Sequence, residues 1–397
     1  MTRSTPPHLT TLILLTALSV LTLNMFLPSL SRIAADFQAD YALVSLSIGG
    51  YLAVSGVVQL VIGPLSDLYG RRPVMFWSMA VFVLASLGCF LAPSVEIFLA
   101  FRMLQSTGIA GMVLSRAVVR DMYPQAESAR VLGVIGMAMA LAPLLGPVLG
   151  GVLDQIFGWR AVFVFFVLAG AAMAALVWAD MGETNATRGA RFTDQFRAYP
   201  DLFREGLFWA WCGSLVFSVG GFYAFLGGAP KVGEDLFGLT PAWLGLGMGS
   251  ISAGFMLGNY LGGRMTPRIG LARVMLSGRV MAMFGPVLGM ALFATGFASP
   301  WTLFGPVMFV GFGNGLTLPG ANAGVMSVAP HLAGSASGLS GALTVAGGAV
   351  LTAAAGWVVG LSLPAEALFG VILTTTLLAF ICTLVATRIE AARSQKA

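Results

Sequence analysis

The chain has 397 residues, 57% of them hydrophobic and only 9% charged. A soluble domain of this size needs far more charge to cover its surface, so a water-soluble globule is excluded. The net charge of +5 comes from arginines between apolar runs, a membrane-loop pattern that carries no nucleic-acid signal.

Apolar runs near twenty residues recur along the whole chain, which predicts an all-α polytopic membrane protein. A closed barrel is disfavoured, because barrel strands alternate apolar and polar over about ten residues. Cys89, Cys212 and Cys382 fall inside apolar runs without paired spacing, so they read as small packing residues and not as disulfide or metal ligands. Leu9 to Leu30 is too long for a signal-peptide core and reads as the first span.

Twelve spans are predicted, at 9–30, 42–62, 74–92, 96–119, 130–153, 161–180, 206–229, 241–262, 274–297, 301–325, 335–358 and 365–387. Each crosses about 30 Å of hydrocarbon at about 1.5 Å per residue. With the N-terminus cytoplasmic, fifteen of the 21 Lys and Arg fall inside, and only Arg32, Arg160 and Lys231 fall outside. That asymmetry places both termini in the cytoplasm. Arg102, Arg116 and Arg279 lie within or at the ends of spans.

The polar stretch 181–205 divides the chain into an N-terminal six-helix half, 1–180, and a C-terminal six-helix half, 206–397. A short surface helix is possible within that loop. Gly63 and Gly70 recur as Gly263 and Gly270, a repeat offset of about half the chain, although Pro267 stands where Asp67 stood. Two parallel six-helix repeats are a layout of transporters, with the substrate site near the midplane.

In chain order, the first motif is Asn24-Met25-Phe26-Leu27-Pro28-Ser29-Leu30 on span one. Between spans two and three comes Gly63-Pro64-Leu65-Ser66-Asp67-Leu68-Tyr69-Gly70-Arg71-Arg72-Pro73. Gly63 lets backbones approach, Gly70 permits a tight turn, and Pro73 suits the first turn of span three. Arg71 and Arg72 can pair with Asp121 after span four. Span four carries Arg102-Met103-Leu104-Gln105-Ser106-Thr107-Gly108, then Ser115-Arg116-Ala117-Val118-Val119-Arg120-Asp121. Arg102 lies more than a turn inside the span, so its charge must be paired or face water, and Asn24 lies at a similar depth on span one. Span five carries Ala142-Pro143-Leu144-Leu145-Gly146-Pro147-Val148-Leu149-Gly150-Gly151. Gly146 and Gly150 form a small face there, and Ser250, Gly254, Gly258 and Gly262 offer a matching face on span eight.

These motifs, in this order and placement, resemble those of the major facilitator superfamily, and within it Bcr/CflA-type multidrug exporters. The resemblance covers essentially the whole chain. It implies twelve helices in two pseudo-symmetric halves around one central cavity that opens alternately to each side. It implies an inner gate of Asp67, Arg71, Arg72 and Asp121, with Asp67 facing the eleventh helix. It also implies an exporter-associated packing motif in Gly146, Pro147, Gly150 and Gly151. Asn24, Arg102, Gln105, Tyr223 and Asn314 are expected to line or adjoin the cavity. Tyr51, Phe222 and Phe225 would add an aromatic lining, and Arg116 reads as structural.

The expected function is export of small, largely apolar compounds from the bacterial inner membrane by proton antiport, with a monomer as the family expectation. No enzyme motif occurs: there is no phosphate-binding Gly-x4-Gly-Lys-Ser/Thr, no Cys/His metal spacing and no Gly-x-Ser-x-Gly elbow. No cofactor is implied, and the proton gradient is the expected energy source. Many members of the resembled group carry Asp where this chain has Asn24, and none of the sixteen acids falls mid-span. Glu96, Asp36 or a loop acid could substitute. A metabolite exporter, or a carrier that runs without protons, therefore stays open, as does a membrane receptor or enzyme.

Overall fold

The computed structural model describes residues 7–123, 125–185, 199–328, 333–359 and 364–394. The central part of the polar stretch, 186–198, lies outside the described residues. Among the described residues of that stretch, the expected surface helix is the short Tyr199–Arg204.

The first span begins as α1 (Leu9–Asn24), tightens into a 3-10 turn at Leu27–Ser29 around Pro28, and continues as α2 (Leu30–Asp36). It is followed by α3 (Tyr41–Tyr69) and α4 (Arg71–Leu91). Span four is not one continuous helix. It runs as α5 (Val95–Leu104), a 3-10 turn at Gln105–Ile109, and α6 (Ala110–Met122). Such a tightened stretch inside a helix often marks a functional hinge. Then come α7 (Gln125–Phe157), α8 (Arg160–Asp180) and the short α9 (Tyr199–Arg204). The second part holds α10 (Gly206–Phe237), α11 (Pro241–Ile269), α12 (Leu271–Ala294), α13 (Pro300–Ser327), α14 (Ala333–Val358) and α15 (Pro364–Ser394).

Ten of the twelve long segments are long and apolar enough to cross a membrane. The other two, α11 and α13, match them in length at 29 and 28 residues, but Gly, Pro and Asn dilute their hydropathy. Glycines punctuate the order. Gly70 (φ 105°) and Gly270 (φ 86°) each sit between two helices in a conformation closed to most side chains, at matching places in the repeat. Gly238 (φ 60°) ends α10 in the left-handed cap, its N–H donating to the Glu234 carbonyl at 2.8 Å. Ser299 and Thr302 form a reciprocal capping box that starts α13.

The chain forms two compact units, Met1–Asp194 with Thr240–Gly245, and Gln195–Leu239 with Leu246–Ala397. In the first, α4 packs on α8, and α1 packs on α6 and α7. Phe82, Phe98, Trp159, Phe163 and Phe166 make a run of edge-on ring contacts, a geometry the aromatic quadrupole favours. In the second, α10 packs on α13, α14 and α15, and α12 packs on α13 and α15. Large apolar side chains point outward in both: Trp77, Leu84 and Trp178 in one, Val350 and Trp357 in the other, each more than 60% exposed. A water-facing surface would not carry them; lipid accepts them.

Candidate transport site and gate

The loop between α3 and α4 closes around one arginine. The Arg71 guanidinium pairs with Asp67 on the preceding turn and donates to the Ser66 hydroxyl. Its Nε donates to Asp121 Oδ2 at 3.0 Å. Its backbone N–H, at the start of α4, donates to the Glu183 carboxylate at 2.9 Å, where the positive end of the helix also favours a negative charge. A Cβ on Gly70 would overlap that carboxylate, so the turn needs glycine for space as well as for φ. Arg72 departs from the expected pairing with Asp121. It donates instead to the Trp178 carbonyl at 2.7 Å, because the residue after Arg71 points toward α8. Glu183 was seen in the sequence only as part of a polar stretch. A carboxylate just after span six, opposite the N–H groups that open span three, was its signal.

Span five meets span one through its small face. A Cβ on Gly146 would stand 3.3 Å from the Asn24 Cβ, and one on Gly150 would collide with the Met25 carbonyl. Pro147 and Gly151 are buried on the same helix. The glycines here serve close backbone approach between membrane helices. Gly150→Leu is therefore expected to push α1 off α7. Overpacking of this kind costs about 1–3 kcal/mol, read as an earlier thermal transition in detergent together with loss of transport; an unchanged melt would remove the seam. Span eight does meet this face, but at its first turn: a Cβ on Gly151 would collide with the Pro241 carbonyl and one on Gly245 with the Pro147 carbonyl, while the residues expected to make the match lie elsewhere. Gly254 and Gly258 instead approach backbone carbonyls of Met308 and Phe312 on α13, and Ser250 donates to the Phe304 carbonyl at 2.8 Å. Spacing of small residues marks a contact face but does not name its partner.

Arg102 is fully buried. Its Nη1 donates to Gln105 Oε1 and its Nη2 to the Thr22 carbonyl on α1 at 2.7 Å. The guanidinium lies between the rings of Phe26 and Tyr51, 4.0 and 4.4 Å from their centres. Gln105 passes the chain on, donating to Ser86 of α4 at 2.7 Å. One cation thus ties the first, third and fourth spans. Asn24 lies two residues from Thr22, buried, and its Nδ2 donates to the Val20 carbonyl at 2.8 Å. Its Oδ1 has no hydrogen-bond partner among the described residues. Tyr51, expected in a cavity wall, is enclosed beside Arg102, and Phe225 is enclosed against Phe304. Arg116, read as structural, is exposed on α6, with its Nη2 3.4 Å from Met139 Sδ.

The second unit carries a counterpart not recognised in the sequence. Arg279 of α12 is fully buried. It donates to Thr317 Oγ1 at 2.9 Å, Ser218 Oγ at 2.6 Å, the Gly313 carbonyl at 3.0 Å and Asn314 Oδ1 at 2.9 Å. Asn314 returns a bond to the Ser218 carbonyl at 2.9 Å. This cation ties the seventh, ninth and tenth spans, the repeat of the first, third and fourth, but it stands on the third helix of its set, not the fourth. The signal was the one that singled out Arg102: a cation inside an apolar run. Tyr223 lies five residues beyond Ser218 on α10, half-buried, with its ring against Gly348 and its carbonyl accepting from Thr352 Oγ1 at 3.3 Å. Among the described residues, no group of three or more His, Cys, Asp or Glu is placed to hold a metal.

Among the described residues, twelve long helical segments, lipid-facing apolar side chains and polar junctions buried inside helical bundles define a multi-pass membrane protein. The chain belongs to the Major Facilitator Superfamily, which it matches over residues 12–352. That is a family of transporters of small molecules, not of enzymes. The chain is 31% identical over 352 residues to the multidrug resistance protein D of Escherichia coli, covering 86% of each chain. It is 30% identical to the chloramphenicol resistance protein of Pseudomonas aeruginosa, over 80% of this chain and 76% of that one. It is 28% identical to the bicyclomycin resistance protein homolog of Haemophilus influenzae, over 88% of both. Among solved structures, a bacterial homolog of the human lysosomal transporter Spinster superposes with a TM-score of 0.78 at 16% identity, over 96% of both chains. A D-xylose–proton symporter superposes with a TM-score of 0.76 at 13% identity, over 94% of this chain and 96% of that one. The twelve-helix major facilitator fold is thereby shown.

Proposed function

We propose that the protein exports small, largely apolar compounds from the bacterial inner membrane by alternating access, driven by proton antiport. The N-terminal half, 1–180, and the C-terminal half, 206–397, are the two bodies that move, with both termini cytoplasmic and the protein a monomer. The observation that carries the direction of transport is the seam of Gly146 and Gly150 beneath Asn24 and Met25, because this span-five motif is the one associated with exporters. The names of the drug-resistance relatives support the substrate class. Asp67, Arg71 and Asp121 act as the cytoplasmic gate, with Arg72 bracing it through α8. Arg102 and Gln105 hold the helices of one half, with Asn24 buried near them, and Arg279 and Asn314 hold those of the other. Tyr223 is the residue of this set most open to a substrate.

Drug flux in proteoliposomes, with and without an imposed pH gradient, tests the reading. A neutral phenicol is expected to accumulate against its gradient when protons are supplied on the side that receives the drug. Absence of any phenicol flux would remove drug export. Asn24 favours a second reading, a carrier that runs without protons, since an amide cannot titrate; flux indifferent to the gradient would select it.

The charges also set a preference among drugs. The ionisable groups inside spans are the cations Arg102, Arg116 and Arg279, while the described carboxylates lie at span ends and in loops. A cation entering such a path meets like charge without a counter-charge. Neutral phenicols are therefore expected to be transported at least about tenfold better than a quaternary ammonium dye of similar size, a difference of about 1.4 kcal/mol. Equal rates would overturn this electrostatic argument.

A further inference from the structure

Asp154 is the one carboxylate among the described residues that is buried, with 1% of its surface exposed. It sits three residues before the end of α7, on the side of the membrane opposite to the Gly63–Pro73 loop. Its Oδ1 accepts from Arg32 Nη1 at 3.1 Å, and the same nitrogen lies 3.4 Å from the Asp154 carbonyl. The Ser29 hydroxyl neighbours the carboxylate. Arg32, on α2, has 44% of its side chain exposed, while that of Asp154 is fully enclosed. The ion pair thus has one member in water and one out of it.

The surroundings single out this pair. Helix α7 packs on α1, on the 3-10 turn at Leu27–Ser29, on α6, on α8 and on the first turn of α11, where Thr240 to Gly245 carry no ionisable side chain. Neither α1 nor the turn carries an ionisable side chain. At this end, α8 presents Arg160, which is engaged with Asp36, as is the Trp159 ring nitrogen at 3.2 Å. Arg116 and Arg120 of α6 lie toward the other end of the helix. Arg32 is therefore the cation that balances Asp154.

We propose that Asp154 carries the exchanged proton, with Arg32 as its counter-ion; this rests on the antiport reading above. The buried carboxylate is tolerable while Arg32 offsets its charge. When it takes a proton from the outer aqueous side it becomes a neutral acid, its new O–H can be satisfied locally, and the attraction to Arg32 ends. The guanidinium keeps its charge and moves to water, where it needs no partner. The element released is α2, which joins α1 through the turn that follows Asn24. Proton binding at the outer end thereby acts on the helix held by Gly146 and Gly150. The exposed Arg160–Asp36 pair contributes little to holding α2, as surface pairs do.

The test uses the full-length chain in proteoliposomes with chloramphenicol, plus a pH dye to count protons released when drug is added to the purified protein. Native protein is expected to release protons on drug addition and to accumulate drug against its gradient. Asp154→Asn is expected to lose at least tenfold of the gradient-driven accumulation and the proton release, and its drug counterflow becomes independent of pH. Asp154→Asn that keeps native proton release and accumulation would overturn the proposal. Arg32→Gln, a change at a partly exposed side chain, covers the case in which Asp154→Asn fails to fold. Without the cation, the pH midpoint of exchange should move upward by about one unit or more. An unmoved midpoint would overturn the proposal as well. Native protein without gradient-driven accumulation would instead sink the antiport reading, and this inference with it.

Discussion

Arg279→Ala is expected to destabilise the protein more than any other single change in the second unit. The guanidinium makes four hydrogen bonds, to a hydroxyl from α10 and to a hydroxyl, a carbonyl and an amide from α13. Removing it leaves Asn314 Oδ1 buried without a donor and opens a void the size of a long side chain. An orphaned buried acceptor costs about 1–3 kcal/mol, and the void adds to it, so a loss of about 3 kcal/mol or more is expected. The hydroxyls of Ser218 and Thr317 suffer less, since each also donates to a carbonyl one turn back. Thermal unfolding in detergent checks this. Arg279→Lys separates charge from shape: a lysine keeps the cation but cannot fork to both α10 and α13, and partial rescue at most is expected. Arg102→Ala should behave likewise in the first unit, where the lost partners are the Thr22 carbonyl, Gln105 and the rings of Phe26 and Tyr51. Native melts in both variants would show that neither arginine holds its helices.

Asp67→Asn and Arg71→Ala are expected to abolish transport while the protein stays folded in the membrane. The two carboxylates around Arg71, Asp67 and Asp121, keep 26% and 24% of their side chains exposed. Water can solvate either one when its partner is gone, so the stability cost stays near 1 kcal/mol. The effect on flux is larger. Arg71 joins the end of α3, the start of α4, the end of α6 and, through its backbone, the segment after α8, and a gate needs those four to open and close as one. A fall in flux of at least tenfold with a nearly native melt is the expected pattern. Native flux in both variants would remove the gate. A melt lowered as far as that of Arg279→Ala would mean that Arg71 holds the fold and does not switch it.

Much of this molecule can be read along the chain. Span length against the thickness of hydrocarbon gives twelve helices, and each helix appears near its expected place. Gly70 and Gly270 signal turns because only glycine tolerates their φ values, and the half-chain repeat follows from their spacing. Arg102 announces itself because a cation inside an apolar run has to be answered by something. Arg279 carries the same signal, but no motif surrounds it.

What answers each charge is another matter. Arg102 is bound by a backbone carbonyl, an amide and two rings, none of which has a spacing signature. Arg72 turns to the Trp178 carbonyl because of its direction of projection, although its neighbour Arg71 reaches Asp121. Ser250, Gly254, Gly258 and Gly262 announce a close-packed face, but helix rotation gives that face to α13. Asp154 looks like one more acid at a span end until α2 folds over it and closes it from water. The sequence alone determined where the long apolar helices run, where the chain turns and which residues cannot be left unpaired, since length, φ and desolvation act residue by residue. Only the tertiary structure decided who pairs with whom and which acid is buried, because those depend on how helices distant in sequence are rotated and set against each other.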